Sequence, residues 1–216
     1  MCTQKRAKTK RQNAAHSGRG VHEEALRMAA ALILASASPR RRELMGYTGI
    51  PFEVITADAE ETKEGGPEAL VMENARRKAR AVWEKHPGNV VLGADTVVYQ
   101  DGQVLGKPRN REDAVRMLHR LSGAWHQVYT GVCVIGKDGA EDVRFDLSRV
   151  LFSPLEEETI LRYASSREPM DKAGAYALQG VGGMYVERIE GSYSNVIGLP
   201  MALTRSMLRA AGFENL

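Results

Sequence analysis

The sequence predicts an α/β fold around a mixed β-sheet, in a chain of 216 residues that can form one domain or two lobes sharing a sheet. Two observations lead to this prediction. Through the first half, short apolar runs of strand length alternate with segments of helical periodicity. In the second half, residues 127–136 and 141–152 form two alternating β runs joined by the turn sequence Lys137-Asp138-Gly139. A sheet that contains both the strands alternating with helices and the two consecutive β runs is expected to be mixed.

The elements of the first half are expected in a regular succession. They are a helical lead-in over 21–31, a strand over 32–35, a helix over 39–47, a strand over 52–56, a helix over 67–86, a strand over 90–99 and a helix over 111–121. Pro39 suits the first turn of its helix, because the N–H that proline lacks would be unsatisfied there. Asp101-Gly102 predicts a hairpin turn, and Asn110 is expected to cap the helix that follows it.

After the two β runs, the expected elements are shorter. Ser153-Pro154 predicts a helix that continues through Tyr163, with a capping box between Ser153 and Glu156. A glycine-rich loop over 174–183, a strand over 184–189 and a last helix from about 199 to 211 complete the chain. Asn195 alone is interpreted as a helix or turn cap.

Composition excludes several classes of protein. No apolar run reaches membrane-spanning length, and the two cysteines, Cys2 and Cys133, cannot form a disulfide framework or a cysteine zinc site. A cytoplasmic protein without a membrane partner is expected. The net charge of +3 comes from six basic residues within 1–20; without them, 24 Lys and Arg face 27 Asp and Glu. The slightly acidic body does not favour nucleic-acid binding.

We therefore divide the chain into residues 1–30, a basic arm and lead-in expected to be disordered, and residues 31–216, a single domain. The arm has two interpretations, a nucleic-acid-binding or targeting segment and a non-native extension, and the second is preferred. Loss of salt-dependent nucleic-acid binding on deleting residues 1–20 would favour the first.

A candidate anion site follows the first strand. Ser36 and Ser38 precede a proline and three arginines that open a helix, whose free amides carry partial positive charge. Guanidinium groups on the same turn match phosphate oxygens. Successive helical positions fan out by about 100°, so the three arginines cannot all face one pocket, and a solvated surface stays open as the alternative.

Other candidate residues carry charge in unusual surroundings. Asp95 lies within an apolar strand, where an unpaired carboxylate is costly and a cation, a metal or proton transfer is the usual reason for it. Lys107 lies between a glycine and a proline that fix its backbone, whereas Lys78 and Glu61 could simply be solvated. Gln179 could present a donor and an acceptor to a base edge, or satisfy a turn.

Several enzyme classes lack their motifs in this sequence. The five histidines show no metal spacing, and no nucleophile elbow, Walker A loop or dinucleotide glycine fingerprint occurs. These absences weigh against a serine hydrolase, a P-loop kinase and a dehydrogenase.

A series of short segments then follows in order: residues 36–41, Glu61, 78–79, 93–96, 106–108, 121–123, 126–131, 172–180 and 191–200. Together they resemble the Maf family of nucleoside triphosphate pyrophosphatases over about residues 31–212. The resemblance implies hydrolysis of a nucleoside triphosphate to the monophosphate and pyrophosphate. It also implies a divalent cation (Mg²⁺, Mn²⁺ or Co²⁺), a cytoplasmic setting and a two-lobed α/β fold like that of inosine triphosphate pyrophosphatases (Maf/Ham1).

The resemblance also implies roles for individual residues. The subgroup that acts on dTTP and UTP carries Arg, Thr and Gln at three specificity positions, which here are Arg40, Thr96 and Gln179. The 7-methyl-GTP subgroup tends to have Gln in place of Thr96 and Glu in place of Gln179, so dTTP, UTP or modified pyrimidine nucleotides are the expected substrates. Asp95 is expected to be the catalytic base and, with Glu61, the metal ligand. The expected phosphate-binding residues are Ser36, Ser38, Arg41, Lys78 and Lys107.

One alternative comes from another functional class. The chain could act mainly by binding, as a nucleotide-responsive inhibitor of septum formation and cell division. Turnover separates the two, because a sensor would bind nucleotide without releasing pyrophosphate. A homodimer is left open.

Overall fold

The computed structural model describes residues 32–214 and 216. The predicted lead-in helix over 21–31 and the basic arm lie outside these residues. Seven strands form one sheet: β1 Leu32–Ala35, β2 Phe52–Val54, β3 Val90–Gln100, β4 Gln103–Leu105, β5 Trp125–Ile135, β6 Glu141–Phe152 and β7 Val186–Glu190. The helices of the described part are α1 Pro39–Gly46, α2 Pro67–Trp83, α3 Arg111–Leu121, α4 Glu157–Ala164, α5 Tyr193–Ile197 and α6 Met201–Ala210.

The sheet is mixed, as predicted. Its order is β2-β1-β3-β5-β6-β7, with β4 paired to β3 beyond the end of β1. β1 is parallel to β2 and β3, and every other pairing is antiparallel. β3 and β5 contain 11 residues each, so they extend through two lobes that are distinguished by their cores.

Helices cover the two faces of this sheet unequally. On one face, α1 and α6 pack on the first lobe, where Leu34 and Leu92 contact Met45 and Leu208 in one apolar cluster. On the same face, α3 and α4 cover the second lobe around Val98 and Phe152. The opposite face is covered by α2, whose Ala75 and Ala79 pack against Val91 and Ile135. The two apolar clusters meet along β3 between Ala94, in the first, and Val98, in the second.

Two glycines let α2 lie directly on the sheet. A Cβ atom at Gly93 of β3 would be 2.5 Å from the Ala75 carbonyl oxygen, and one at Gly131 of β5 would be 2.2 Å from that of Val71. Any side chain at either position would push α2 outward. The close approach brings the polar residues of α2 to the middle of β3, where Gly131 pairs with Asp95.

Predicted boundaries agree with the structure where local signals dominate. The Asp101-Gly102 hairpin turn joins β3 and β4, and the Asn110 side chain caps α3 by accepting a hydrogen bond from the Asp113 amide at 2.8 Å. The capping box at Ser153 is wrong. α4 begins at Glu157 and has no side-chain cap, because the Ser153 amide donates to the Tyr185 carbonyl and keeps this segment extended.

The predicted last helix over about 199–211 is confirmed as α6, Met201–Ala210, and it is preceded by a short helix, α5, that was not predicted. α5 and α6 are separated at Gly198, which has a φ of 122°, and at Pro200. The glycine-rich segment contains short 3₁₀ turns as well as loop, and the strand expected over 184–189 is β7, Val186–Glu190. None of the helices in the described part of the chain is long and apolar enough to cross a membrane.

Candidate active site

A cavity of about 680 Å³ opens where the edge of β3 has no partner among the described strands. β1 stops pairing with β3 at Ala35 and Gly93, and β4 begins to pair with it at Val98 and Leu105. The edge of β3 between these pairs is therefore free to face a ligand. Nine of the predicted site residues line the cavity: Ser36, Ser38, Arg40, Arg41, Glu61, Lys78, Asp95, Thr96 and Lys107.

The start of α1 forms one wall of this cavity. The Ser38 side chain occupies the N-cap position and accepts from the Arg41 amide at 3.5 Å, with Pro39 in the first turn. The Ser36 hydroxyl accepts from the Ser38 amide at 3.2 Å, which tightens the turn between β1 and α1. This geometry directs the positive end of a helix at the cavity, as anion binding requires.

The Arg41 guanidinium is held by groups from distant parts of the chain. Its Nε donates to the Gly198 carbonyl at 2.8 Å, its Nη2 to Thr96 Oγ1 at 3.0 Å and its Nη1 to Ser36 Oγ at 3.4 Å. Burial lowers the pKa of Arg41, and the negative charge of Asp95 partly opposes this effect. Three of the five N–H donors bind acceptors in the described part of the chain, which leaves two for a ligand.

Asp95 faces α2 from the middle of β3. Its side chain is only 11% exposed, and its Oδ1 accepts from Lys78 Nζ at 2.7 Å. The same ammonium contacts Glu61 Oε1 at 2.6 Å, so Lys78 bridges the two carboxylates. Burial raises the pKa of Glu61, but the hydrogen bond and charge of Lys78 outweigh it and leave that pKa below its ordinary value. In this nucleotide-free arrangement the Lys78 ammonium is therefore engaged by the two carboxylates and does not extend toward the expected phosphate position.

Arg40 and Lys107 also line the cavity. Arg40 Nη1 is 3.8 Å from Asp171 Oδ2, and Lys172 pairs with the same carboxylate. Burial lowers the pKa of Arg40, and Asp171 partly restores it. The loop carrying Lys107 is tied down by a hydrogen bond from the Gly174 amide to the Gly106 carbonyl at 3.1 Å. Cationic groups therefore face the cavity from several elements.

Gln179 is the one predicted site residue that the structure does not bring to the cavity. Its side chain is exposed, and its Nε2 lies 3.5 Å from Glu43 Oε1 on α1. The neighbouring residues Tyr176, Ala177 and Leu178 do line the cavity. The chain turns outward after them, so a base contact by Gln179 requires movement of this segment.

The comparisons with known proteins decide the family. The model of the family described as Maf-like protein matches residues 31–211. This chain belongs to the Maf family. It is 51% identical over 191 residues to the dTTP/UTP pyrophosphatase of Anaeromyxobacter dehalogenans, covering 86% of this chain and 96% of the relative. It is 48% identical over 182 residues to the dTTP/UTP pyrophosphatase of Deinococcus radiodurans, covering 84% and 93%.

The solved structure of a HAM1 protein from Coxiella burnetii shares the fold of this Maf-family chain. The TM-score is 0.50 at 14% sequence identity, and the alignment covers 84% of this chain and 100% of the other. The α/β architecture implied by the sequence resemblance is thus confirmed.

Asn74 of this Maf-family chain was not predicted from the sequence as a site residue. Asn74 is buried on α2, where its Nδ2 donates to Asp95 Oδ2 and to the Thr62 carbonyl, both at 3.2 Å. Its Oδ1 accepts from the Thr62 amide at 2.8 Å, so it ties the Glu61 loop to the floor of the cavity. An amide among the apolar positions of an amphipathic helix was the available signal, because a buried polar group needs partners.

The wall opposite α1 contains a second buried polar pair. The Tyr176 hydroxyl lies 2.9 Å from His126 Nε2, and both rings pack against Phe152. Burial lowers the pKa of His126 to about 4, because the apolar surroundings do not solvate an imidazolium. His126 is therefore a neutral support for the Tyr176 ring at neutral pH.

The acidic residues at this site fit a divalent cation only in part. Among the described residues, no group of three or more His, Cys, Asp and Glu side chains surrounds a common point. Glu61 and Asp95 supply two carboxylates that already share one cationic partner, Lys78. Mg²⁺ is commonly held by one or two carboxylates plus substrate phosphates and water. The donor set therefore suits a cation that binds together with a phosphate chain.

Proposed function

We propose that this protein hydrolyses nucleoside triphosphates, preferentially dTTP and UTP, to the monophosphate and pyrophosphate, and so removes unwanted nucleotides from the cytoplasmic pool. One observation supports this most strongly. The buried carboxylate of Asp95 lies at the floor of a cavity whose surrounding walls present Arg41, Lys78, Lys107 and the positive end of α1. The names of the relatives agree with this activity.

The phosphate chain would bind on the α1 side of the cavity. The two unused donors of Arg41, the hydroxyls of Ser36 and Ser38 and the ammonium of Lys107 together neutralise and orient it. The position of Arg41 is set before binding, because its guanidinium is already held by three protein acceptors. Preorganised charge of this kind is the main requirement of reactions at phosphoanhydrides.

Asp95 would take the proton of the attacking water. Asn74 holds its Oδ2, while its Oδ1 faces Lys78. When the phosphate chain draws Lys78 away from the carboxylates, Oδ1 becomes free to accept a proton. The charge of Lys78 then neutralises the developing pyrophosphate, so one lysine serves the resting and the reacting states in turn.

A divalent cation (Mg²⁺, Mn²⁺ or Co²⁺) would be held by Glu61 and Asp95 together with the phosphates. When bound, it supplies positive charge that stabilises the phosphate oxygens. Departure of Lys78 leaves both carboxylates available for it, and the Asn74 clamp keeps the Glu61 loop beside Asp95. The cation and the nucleotide are therefore expected to bind interdependently.

Recognition of the base is assigned to Arg40, Thr96 and Gln179. Arg40 and Thr96 line the cavity, whereas Gln179 would reach a base only if the 176–179 segment folds inward when nucleotide binds. Its amide could then pair with the carbonyl and N–H groups of a pyrimidine edge, which offers one donor and acceptors side by side.

A substrate screen tests the proposal. Purified protein with Mg²⁺, Mn²⁺ or Co²⁺, and with chelator as the control, is given dTTP, UTP, modified pyrimidine triphosphates, ATP, GTP and 7-methyl-GTP, and both pyrophosphate and phosphate are measured. We expect metal-dependent pyrophosphate release, with the highest kcat/KM for pyrimidine triphosphates. Tight nucleotide binding without release would favour the binding protein of cell division instead. Preferred turnover of 7-methyl-GTP would contradict the substrate assignment.

A further inference from the structure

We propose that Thr130, a residue outside the cavity lining, positions Arg41 for phosphate binding through the hydroxyl of Thr96. This inference rests on the proposed function of Arg41 as a phosphate ligand. Thr130 is fully buried on β5, and its Oγ1 lies 3.0 Å from Thr96 Oγ1 on the neighbouring strand. The two threonines pair directly across the sheet.

The protons of this cluster can be assigned without ambiguity. Thr130 Oγ1 is 3.0 Å from the main-chain carbonyl oxygen of Asn195. This oxygen can only accept, so the single Thr130 proton is donated there. Thr96 must then donate its own proton to Thr130. Arg41 Nη2, which can only donate, gives a proton to Thr96 Oγ1 at 3.0 Å. The result is a directed chain from the guanidinium to the hydroxyls to the carbonyl.

The far end of the chain is anchored in the core. Asn195 is fully buried, and its Nδ2 donates to the Val128 carbonyl at 3.0 Å and to Ser148 Oγ at 2.9 Å. These bonds fix the last turn of α5 to β5 and β6. The same turn leads to Gly198, whose carbonyl accepts from Arg41 Nε at 2.8 Å. Arg41 is thus attached to one rigid segment directly and through the two threonines.

A consequence concerns Thr96 itself. Its only proton is committed to Thr130, so Thr96 offers a nucleotide base no hydrogen-bond donor in this arrangement. Thr96 could then contact the base only as a hydrogen-bond acceptor, through the lone pair that Arg41 does not use. A longer side chain at this position would displace the guanidinium, because Thr96 Oγ1 lies between Arg41 and Thr130.

A double-mutant cycle tests the inference. Binding of inorganic triphosphate and of uridine is measured by calorimetry for Thr130→Val, Thr130→Ser, Arg41→Ala and Thr130→Val with Arg41→Ala. Thr204→Val is the matched control, because Thr204 is equally buried and its Oγ1 has no hydrogen-bond partner among the described residues. Melting temperatures are recorded for every variant.

We expect Thr130→Val to weaken triphosphate binding roughly tenfold, with the Ser variant within about twofold of wild type and uridine binding unchanged. In the Arg41→Ala background the Val substitution should have less than about a twofold effect, because its target is absent. Equal losses in both backgrounds, an equal loss in Thr204→Val, or failure of serine to restore binding would overturn the inference.

Two further comparisons keep the result interpretable. If Thr130→Val does not fold, Thr96→Val and Thr96→Ser in both Arg41 backgrounds complete the same cycle, with the same outcomes expected for triphosphate binding; uridine is not used there, because Thr96 is also assigned to the base. Wild-type turnover of UTP is measured separately. A wild type that binds triphosphate but hydrolyses no nucleotide would refute the proposed function and leave the cycle readable, whereas one that binds no triphosphate would overturn both.

Discussion

Asp95 and Thr96 are adjacent residues that serve opposite faces of β3. Successive side chains of a strand point to opposite sides, so Asp95 faces α2 and contacts Lys78 and Asn74, while Thr96 faces α1 and contacts Arg41. Both line the cavity, because no strand within the described residues pairs with this stretch of the β3 edge. One dipeptide therefore joins the acidic and the phosphate-binding parts of the candidate site.

The specificity proposal at Gln179 can be tested with a change of one atom. Gln179→Glu should lower the ratio of kcat/KM for UTP to that for GTP about tenfold, because a carboxylate cannot donate to a pyrimidine carbonyl. Gln103→Glu is the control, since this exposed glutamine does not line the cavity. An unchanged ratio in a folded variant would remove Gln179 from base recognition.

His126 makes the free energy of unfolding depend on pH between about 4 and 6.5, because burial lowers its pKa. Its pKa is about 4 in the folded protein against about 6.5 when unfolded, so the unfolded state binds the extra proton as pH falls from 6.5 to 4. The contribution of His126 to the free energy of unfolding is fully present above about pH 6.5 and is lost as the pH falls toward 4. The contribution of His126 should be about 2 kcal/mol smaller at pH 5 than at pH 7.

Urea unfolding at pH 7 and pH 5 checks this expectation. His126→Gln, which can still hydrogen-bond to the Tyr176 hydroxyl, should show a smaller difference in unfolding free energy between the two pH values than the wild type. An equal difference in the two proteins would mean that other groups produce the pH dependence.

At the scale of elements, α2 determines the acidic half of the site. It presents both Asn74 and Lys78 to Asp95, and its distance from the sheet is set by backbone contact at Gly93 and Gly131. Helical periodicity predicted α2 well, because an amphipathic pattern is local. The failed capping box at Ser153 had a tertiary cause, the backbone bond to Tyr185. Local sequence carries no signal for such a bond.

Gly131→Ala should move α2 away from β5. The added methyl group would lie 2.2 Å from the Val71 carbonyl oxygen, so the protein should lose about 1–3 kcal/mol of unfolding free energy. UTP turnover should fall as well, because Lys78 and Asn74 would shift with the helix. The control is Gly46→Ala in α1, where a Cβ atom would meet nothing within 4 Å. Native stability and turnover in Gly131→Ala would contradict the close-packing argument.

At the scale of the whole molecule, the site depends on contacts between distant segments. Arg41 and Gly198 are 157 residues apart, and no periodicity or spacing predicts their hydrogen bond. The ordered motifs did predict which residues line the cavity, because a family resemblance carries three-dimensional information that single segments lack. They did not predict that Lys78 bridges Glu61 and Asp95, nor that Gln179 lies outside, since both depend on the nucleotide-free arrangement of the chain.

The central claim is that Asp95 is the base of a pyrophosphatase acting in this cavity. The most direct measurement compares UTP binding and single-turnover pyrophosphate release for wild type, Asp95→Asn and the control Asp113→Asn, whose carboxylate does not line the cavity. Because Asp95 is also a proposed ligand of the cation, UTP binding is measured with chelator present, and there Asp95→Asn should bind UTP with an affinity close to wild type. With the cation present, Asp95→Asn should release pyrophosphate about 10²–10⁴ times more slowly, while Asp113→Asn should match the wild type in both measurements. Release from Asp95→Asn at the wild-type rate would contradict this claim.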